Sequence, residues 1–97
     1  MALTKVVMPK TGAEMEEGRI MVWRRSAGEP VRKGEVLLEI ETDKAIMDVE
    51  SPASGILLRR LHAQGQTVPA TALIAVLGDG SETAEQIDDF ILNNART

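Results

Sequence analysis

The chain has 97 residues, 43% of them hydrophobic, which is enough apolar material for one small domain and too little length for two. Its formal charge is −4 and Trp23 and Phe90 are its only aromatic residues, so it lacks the clustered cations and stacking rings on which nucleic-acid binding depends. Cysteine is absent, which excludes disulfides, thiolate metal sites and thiol nucleophiles.

The start of the chain, Met1-Ala2-Leu3-Thr4-Lys5, has neither the basic-then-apolar pattern of a secretory signal nor an Arg-rich transit peptide. No apolar stretch approaches the roughly 20 residues of a membrane span. A soluble, cytoplasmic protein without membrane contact is the expectation. Charge is unevenly spread: residues 1–78 hold ten basic and ten acidic side chains, and the excess of acid lies wholly in the tail. Gly78-Asp79-Gly80 marks the expected boundary between a domain at 1–78 and an acidic linker or short helix at 79–97.

In chain order, Leu3 to Met8 alternates weakly and Gly18 to Arg25 sets Ile20, Val22 and Arg24 against Met21, Trp23 and Arg25. Val36 to Thr42 puts Val36, Leu38 and Ile40 on one face and Leu37, Glu39 and Glu41 on the other, the period of a half-buried strand. Ala45, Met47 and Val49 then face in while Ile46, Asp48 and Glu50 face out. Further strand-like runs lie at Gly55–Leu61 and Ala72–Leu77, and eight Gly and four Pro punctuate the whole. The expected core is Val22, Val36, Leu38, Ile40, Met47, Val49 and Leu73, closed at its edges by Ile20, Val31, Leu57 and Ile74.

A shift of 37 positions superposes Gly18–Val31 on Gly55–Val68 without gaps, and carries Val36-Leu37 onto Leu73-Ile74. Each half is too small to bury its own apolar face. The sequence therefore predicts an all-β, flattened sandwich of two sheets with quasi-two-fold symmetry. In the tail, Thr83-Ala84-Glu85-Gln86 has capping-box form and Ala84, Ile87, Phe90 and Ile91 recur at helical spacing. A helix from about Ala84 to Asn93 follows, either docking Phe90 on the sandwich or beginning a linker.

No catalytic constellation assembles from these residues. His62 is the only histidine, and Ser26, Ser51, Ser54 and Ser81 lack both a base and a nucleophile-elbow context. Gly12 and Gly18 do not form a phosphate loop. Glu14, Glu16 and Glu17 lack the alternation of a calcium loop, and an acidic loop is ordinarily just solvated. The informative segment is Glu39–Glu50, two alternating runs meeting at Asp43-Lys44. That is a hairpin with a lysine at its tip, ringed by five carboxylates. A salt-bridged, solubilising hairpin is the plain alternative. A tip lysine projects away from the body, which suits acylation by an external ligase better than chemistry of its own.

Glu41-Thr42-Asp43-Lys44-Ala45, followed by Val49 and Ser51-Pro52-Ala53-Ser54-Gly55, resembles the lipoyl-attachment hairpin of acyltransferase components of 2-oxo acid dehydrogenase complexes. Met8–Gly18 resembles the opening of the same domains, and Gly28–Glu35 their first interstrand turn. The resemblance covers residues 3–78 and implies a flattened β-barrel of two four-stranded antiparallel sheets. It further implies that Lys44 carries lipoate by an amide, with Asp43 and Ala45 as the flanks a lipoate ligase or lipoyl transferase reads. The swinging arm would shuttle acyl groups and electrons among a thiamine-diphosphate-dependent decarboxylase, an acyltransferase core and dihydrolipoamide dehydrogenase. The chain would itself be non-catalytic, the carrier part of a dihydrolipoamide acyltransferase. Biotin carriers share this fold, but their lysine lies between methionines. By the same analogy the loop from Thr11 to Glu17 lies beside Lys44, and Thr11, Glu14, Ile46 and Asp48 are the expected partner-recognition residues. The acidic tail around Ile87–Ile91 resembles acyltransferase components of acetoin-cleaving complexes.

Overall fold

Among the described residues, turns separate eight short strands, β1 (Thr4–Val7), β2 (Glu17–Trp23), β3 (Pro30–Val31), β4 (Val36–Glu41), β5 (Ile46–Glu50), β6 (Gly55–Arg60), β7 (Thr67–Pro69) and β8 (Leu73–Gly78), followed by helix α1 (Ala84–Asn94). The structure is a computed structural model and describes residues 3–10, 12 and 14–94. Two four-stranded antiparallel sheets form, in the orders β1-β8-β6-β3 and β5-β4-β2-β7. Advancing every strand number of the first sheet by four, cyclically, produces the second, so the symmetry expected from the repeat is present in the topology.

The 37-residue shift also holds bond by bond. Gly28 donates its N–H to the Leu57 carbonyl at 2.7 Å, and Gly65 donates to Ile20 at 2.7 Å. Arg24 donates to Leu37 at 2.7 Å and Leu61 to Ile74 at 2.9 Å. The turn glycines Gly28 and Gly65 share a left-handed φ of 94° and 90°, a conformation in which a Cβ is penalised. Symmetry mates even touch: the Arg60 guanidinium lies 5.4 Å from the centre of the Trp23 ring, and these two positions are 37 apart.

The core lies between the sheets and is built from Val6, Met8, Ile20, Leu38, Ile40, Leu57 and their neighbours. Ile20, Leu57 and Ile74 are fully buried, at the centre and not at its edges, and Val31 is 3% exposed. Leu38, Ile40, Val49 and Leu73 are buried as expected. Val22 and Val36 are only half-buried, and Met47 packs partly against the core.

The discrepancies trace to β-bulges. The β2–β4 register slips between Ile20 and Val22, leaving Met21 unpaired, so Val22 falls opposite Glu39 while Trp23 falls opposite Leu38 and packs against the core. A second slip, between Val36 and Leu38 on β4, leaves Leu37 unpaired and turns it into the core, fully buried, against the outward position expected. One extra residue reverses side-chain parity beyond it. Both bulges repeat in the other half, at Leu58 and at Ile74, each 37 positions on.

Helix α1 begins with the expected capping box: Thr83 N–H donates to Gln86 Oε1 at 2.9 Å and Gln86 N–H to Thr83 Oγ1 at 3.1 Å. It packs on β8, and the residue it buries is Ile87, 4% exposed, with Phe90 only half-buried. Arg59, cross-strand from Val76, reaches Asp88 of the helix at 3.8 Å. Val76 is thereby fully buried on the face of β8 away from Ala75 and Leu77. Glu82 accepts from the Asp79 and Gly80 N–H groups, fixing the approach to the helix. Asp79 in turn accepts from the Ser81 hydroxyl and N–H, which hold its carboxyl below the usual aspartate range.

Candidate functional site

Strands β4 and β5 are a hairpin whose register pairs Glu41 with Ile46, Ile40 with Met47 and Glu39 with Asp48. The register leaves Thr42–Ala45 as the turn, with Asp43 and Lys44 at its two central positions. Thr42 N–H donates to the Ala45 carbonyl at 2.8 Å, and the Ala45 N–H goes to the Thr42 hydroxyl at 3.2 Å. Asp43, Lys44 and Ala45 are exposed, and among the described residues no ion pair or side-chain hydrogen bond holds the Lys44 ammonium. Ala45 is exposed, not inward as expected, because it belongs to the turn and not to the pleated strand.

Exposure alone does not single out Lys44, since Lys5, Lys10 and Lys33 are exposed too. Lys5 lies within β1. Lys33 sits in a turn pinned to another part of the chain, its N–H on Ser54 Oγ at 2.9 Å and the next N–H, Gly34, on the Ser51 carbonyl at 2.9 Å. The Lys44 turn closes on itself, with Lys44 exposed at its centre.

The five carboxylates expected around Lys44 divide into two groups. Glu41 pairs with Arg19 at 3.6 Å, and Glu39 forms an ion pair with Arg24 across the same sheet. Glu39 also faces Asp48 directly on β5, a like-charge neighbour whose repulsion Arg24 offsets. Asp43, Asp48 and Glu50 stay exposed and form no ion pair within 4 Å among the described residues. Ile46 is 59% exposed, in the midst of this acidic surface.

The loop before β2 meets the hairpin tip. Glu14 and Met15 share with Thr42, Lys44, Ala45 and Met47 an open cleft of about 530 Å³. Its sulfur-bearing flank is Met15, 9% exposed, and Met47. Glu14, Glu16 and Glu17 also border Glu41 and Asp43 along a neighbouring groove. The structure thus brings Glu14 to Lys44 and sets Ile46 and Asp48 on the outer face of β5. Thr11 lies outside the described residues. Sequence reasoning missed Thr42 and Met15; a Thr two residues before the tip residue of a short turn is the signal that could have revealed Thr42.

His62 takes no part in this end of the molecule: its carbonyl accepts from Trp23 Nε1 at 2.9 Å, in a cleft with Arg60 and Gln64. Among the described residues no group of three or more metal-ligating side chains occurs, and no helix is long and apolar enough to cross a membrane.

A lysine displayed on a self-closed hairpin of one sheet, in a fold of two sheets related by quasi-two-fold symmetry, defines a class of attachment domains. The chain belongs to the biotin/lipoyl attachment family, described as "biotin-requiring enzyme", whose profile matches residues 4–77. Within that family it is similar to the dihydrolipoyllysine-residue acetyltransferase component of the pyruvate dehydrogenase complex of Rickettsia prowazekii, 45% identical over 93% of this chain and 22% of the relative. The corresponding component of the acetoin cleaving system of Pseudomonas putida is 40% identical over 89% of this chain and 23% of the relative. The chain therefore spans under a quarter of the length of these curated relatives. Among solved structures, the lipoyl domain of the 2-oxoglutarate dehydrogenase complex from Azotobacter vinelandii matches with a TM-score of 0.66 and 28% identity. That match covers 79% of this chain and 98% of the other.

Proposed function

We propose that this chain is a lipoyl carrier domain and that Lys44 is its attachment site. The observation that carries the reading is Lys44 itself: exposed, without an ion-pair partner among the described residues and central in a two-residue turn, in a chain of the biotin/lipoyl family. The residues fit an amide-linked arm. Among the described residues the ammonium has no ion-pair partner to give up, the turn is exposed, and Ala45 beside it is too small to obstruct a ligase.

Attachment joins the lipoate carboxyl carbon to Lys44 Nζ. The C–N bond forms as the activated carboxyl loses its leaving group and the ammonium gives up two of its three protons, keeping one as the amide N–H, with activation supplied by a lipoate ligase or lipoyl transferase. When bound, lipoate supplies a dithiolane that takes up an acyl group and two electrons. The chain's own residues perform no chemistry on it; they display it. Asp43 and Ala45 flank Lys44 where biotin carriers have methionines, which favours lipoate over biotin.

The chain is then the carrier part of a dihydrolipoamide acyltransferase, serving a thiamine-diphosphate-dependent decarboxylase, the acyltransferase core and dihydrolipoamide dehydrogenase in the cytoplasm. Pyruvate-type and acetoin-type relatives match at 45% and 40% identity, so the tail helix does not by itself favour acetoin. Partner recognition falls to the surface around the tip: Glu14 from the loop, and Ile46 and Asp48 on β5, with Thr11 retained as a further candidate. Charge there sets encounter rate and orientation, while Ile46 offers a small desolvated contact. Residues 1–78 form the attachment unit and 79–97 its acidic extension.

The test is intact-mass analysis and peptide mapping of protein made in cells supplied with lipoate. One lipoyl group on Lys44, absent from Lys44→Gln, is the expected result. Lipoyl mass on Lys10 or Lys33, or a biotinyl mass, overturns the assignment.

A further inference from the structure

We infer that the Thr42 hydroxyl is a positioning element for the modification of Lys44. The inference rests on Lys44 being the attachment site and concerns how the turn presents it.

A two-residue hairpin loop matches the right-handed twist of its strands when its central residues take a left-handed φ, which is why Gly and Asn dominate such turns. Neither Asp43 nor Lys44 does so; outside glycine, Thr71 alone has a left-handed φ among the described residues. The tip therefore lacks the backbone geometry that ordinarily closes a loop of this length. To the one backbone bond across the turn, from the Thr42 N–H to the Ala45 carbonyl at 2.8 Å, Thr42 adds a closure through its side chain. Its hydroxyl oxygen accepts the Lys44 N–H at 3.3 Å and the Ala45 N–H at 3.2 Å, and its O–H donates to the Ala45 carbonyl at 3.2 Å.

A hydroxyl has one donor and two acceptor positions, and all three are used within this turn. One of the three bonds falls on Lys44 and two on the residue after it. Among the described residues no other side chain bonds to the backbone of Asp43, Lys44 or Ala45. The direction in which Lys44 leaves the backbone is thus held by that backbone bond and by one hydroxyl, whose β-branched χ1 is itself restricted. Serine retains the hydroxyl without the methyl; valine retains the shape without the hydroxyl.

The experiment compares the parent, Thr42→Val and Thr42→Ser as full chains. Lipoylation rates are measured by intact mass at limiting ligase with free lipoate, alongside amide exchange and the unfolding midpoint. The valine variant is expected to be modified about five- to tenfold more slowly, the factor given by about 1 to 1.4 kcal/mol of lost hydrogen bonding. Its Lys44 and Ala45 amides should exchange faster while amides in β2 and β8 keep their protection. Serine should restore both the rate and the amide protection. A valine variant modified at the parent rate, with the parent modified at Lys44, overturns the inference and leaves the attachment site standing. A parent that is not modified at Lys44 overturns both. Lys44 and Ala45 amides that exchange in the parent as freely as an unfolded chain also overturn the inference, whether or not the valine variant folds.

Discussion

Positions 34 and 71 are symmetry mates, yet only one is glycine. Gly34 has a φ of 92° and Thr71 a φ of 71°. Each donates its N–H in the same way, Gly34 to Ser51 at 2.9 Å and Thr71 to Met8 at 2.7 Å, so the backbone makes the same turn twice. In a left-handed conformation Cβ crowds the next carbonyl, at a cost of about 1–2 kcal/mol, and a β-branched residue suits it least. Replacing Thr71 by glycine removes that cost but adds freedom to the unfolded chain worth about 0.5–1 kcal/mol. Thr71 is exposed, so little packing is lost. Thr71→Gly should therefore stabilise the domain by about 0.5–1 kcal/mol, raising the thermal midpoint by about 2–8 °C for a chain of this size. The reverse change isolates the backbone effect, because a Cβ at position 34 meets nothing within 4 Å. Gly34→Thr should lower the midpoint by a similar amount. Thr71→Ala, which keeps its Cβ, should capture little of the gain. Thermal and urea melts of the three variants decide the matter: a Thr71→Gly variant that melts at or below the parent, with Gly34→Thr silent, refutes the strain argument.

Leu37→Ala should cost about 2–5 kcal/mol, as for other fully buried leucines such as Leu38, whereas Val22→Ala should cost well under that; equal losses in urea melts would contradict the bulge assignments. Ile87→Ala should destabilise by about 2 kcal/mol and free α1 from β8, seen as loss of amide protection in the helix; unchanged protection would mean the helix is held elsewhere. The Arg32 N–H at 2.6 Å, aided by the Arg25 guanidinium at 3.1 Å, holds the Glu35 carboxyl below the usual glutamate range. A depressed folded value stabilises above the unfolded one and is lost as pH falls through the folded value, so Glu35→Gln should flatten the acid limb of the stability curve below the usual glutamate range and unfolding scans should show no such difference there if the contact is absent. In the proposed carrier role, Ile46→Ala and Glu14→Ala should each slow reductive acylation of the lipoylated domain by its decarboxylase, Glu14→Ala more at low salt; parent-like rates in both would move recognition to another face.

What the sequence disclosed follows from what leaves a local trace. Strand alternation, turn glycines and the capping box at Thr83 are local, and the strands and helix they imply are present within a residue or two. The repeat was visible because glycines at 28 and 65 need the same unusual φ. Bulges leave no such trace. Met21, Leu37, Leu58 and Ile74 are ordinary apolar residues, and nothing in Ile-Met-Val-Trp says that parity reverses after Met21. Of the misassigned side chains, Val22, Val36 and Leu37 lie at those slips, while Ala45 belongs to the lysine turn.

The tip was legible for the same local reason: two alternating runs meet at Asp43-Lys44. Its surroundings were not, because they come from a break in the symmetry. Met8 and Ser51 are mates, each exchanging bonds with the turn that precedes β8 or β4, and Gly18 and Gly55 are mates under the 37-residue shift. Nine residues join Met8 to Gly18 where three join Ser51 to Gly55. The longer loop is the one that brings Glu14 and Met15 to Lys44. By the same shift Glu41, where β4 hands over to the lysine turn, is the mate of Gly78, where the chain leaves β8 for α1. One half of the fold thus ends its final strand at an exposed lysine turn and the other at the exit to α1, and the longer loop lies beside the lysine turn.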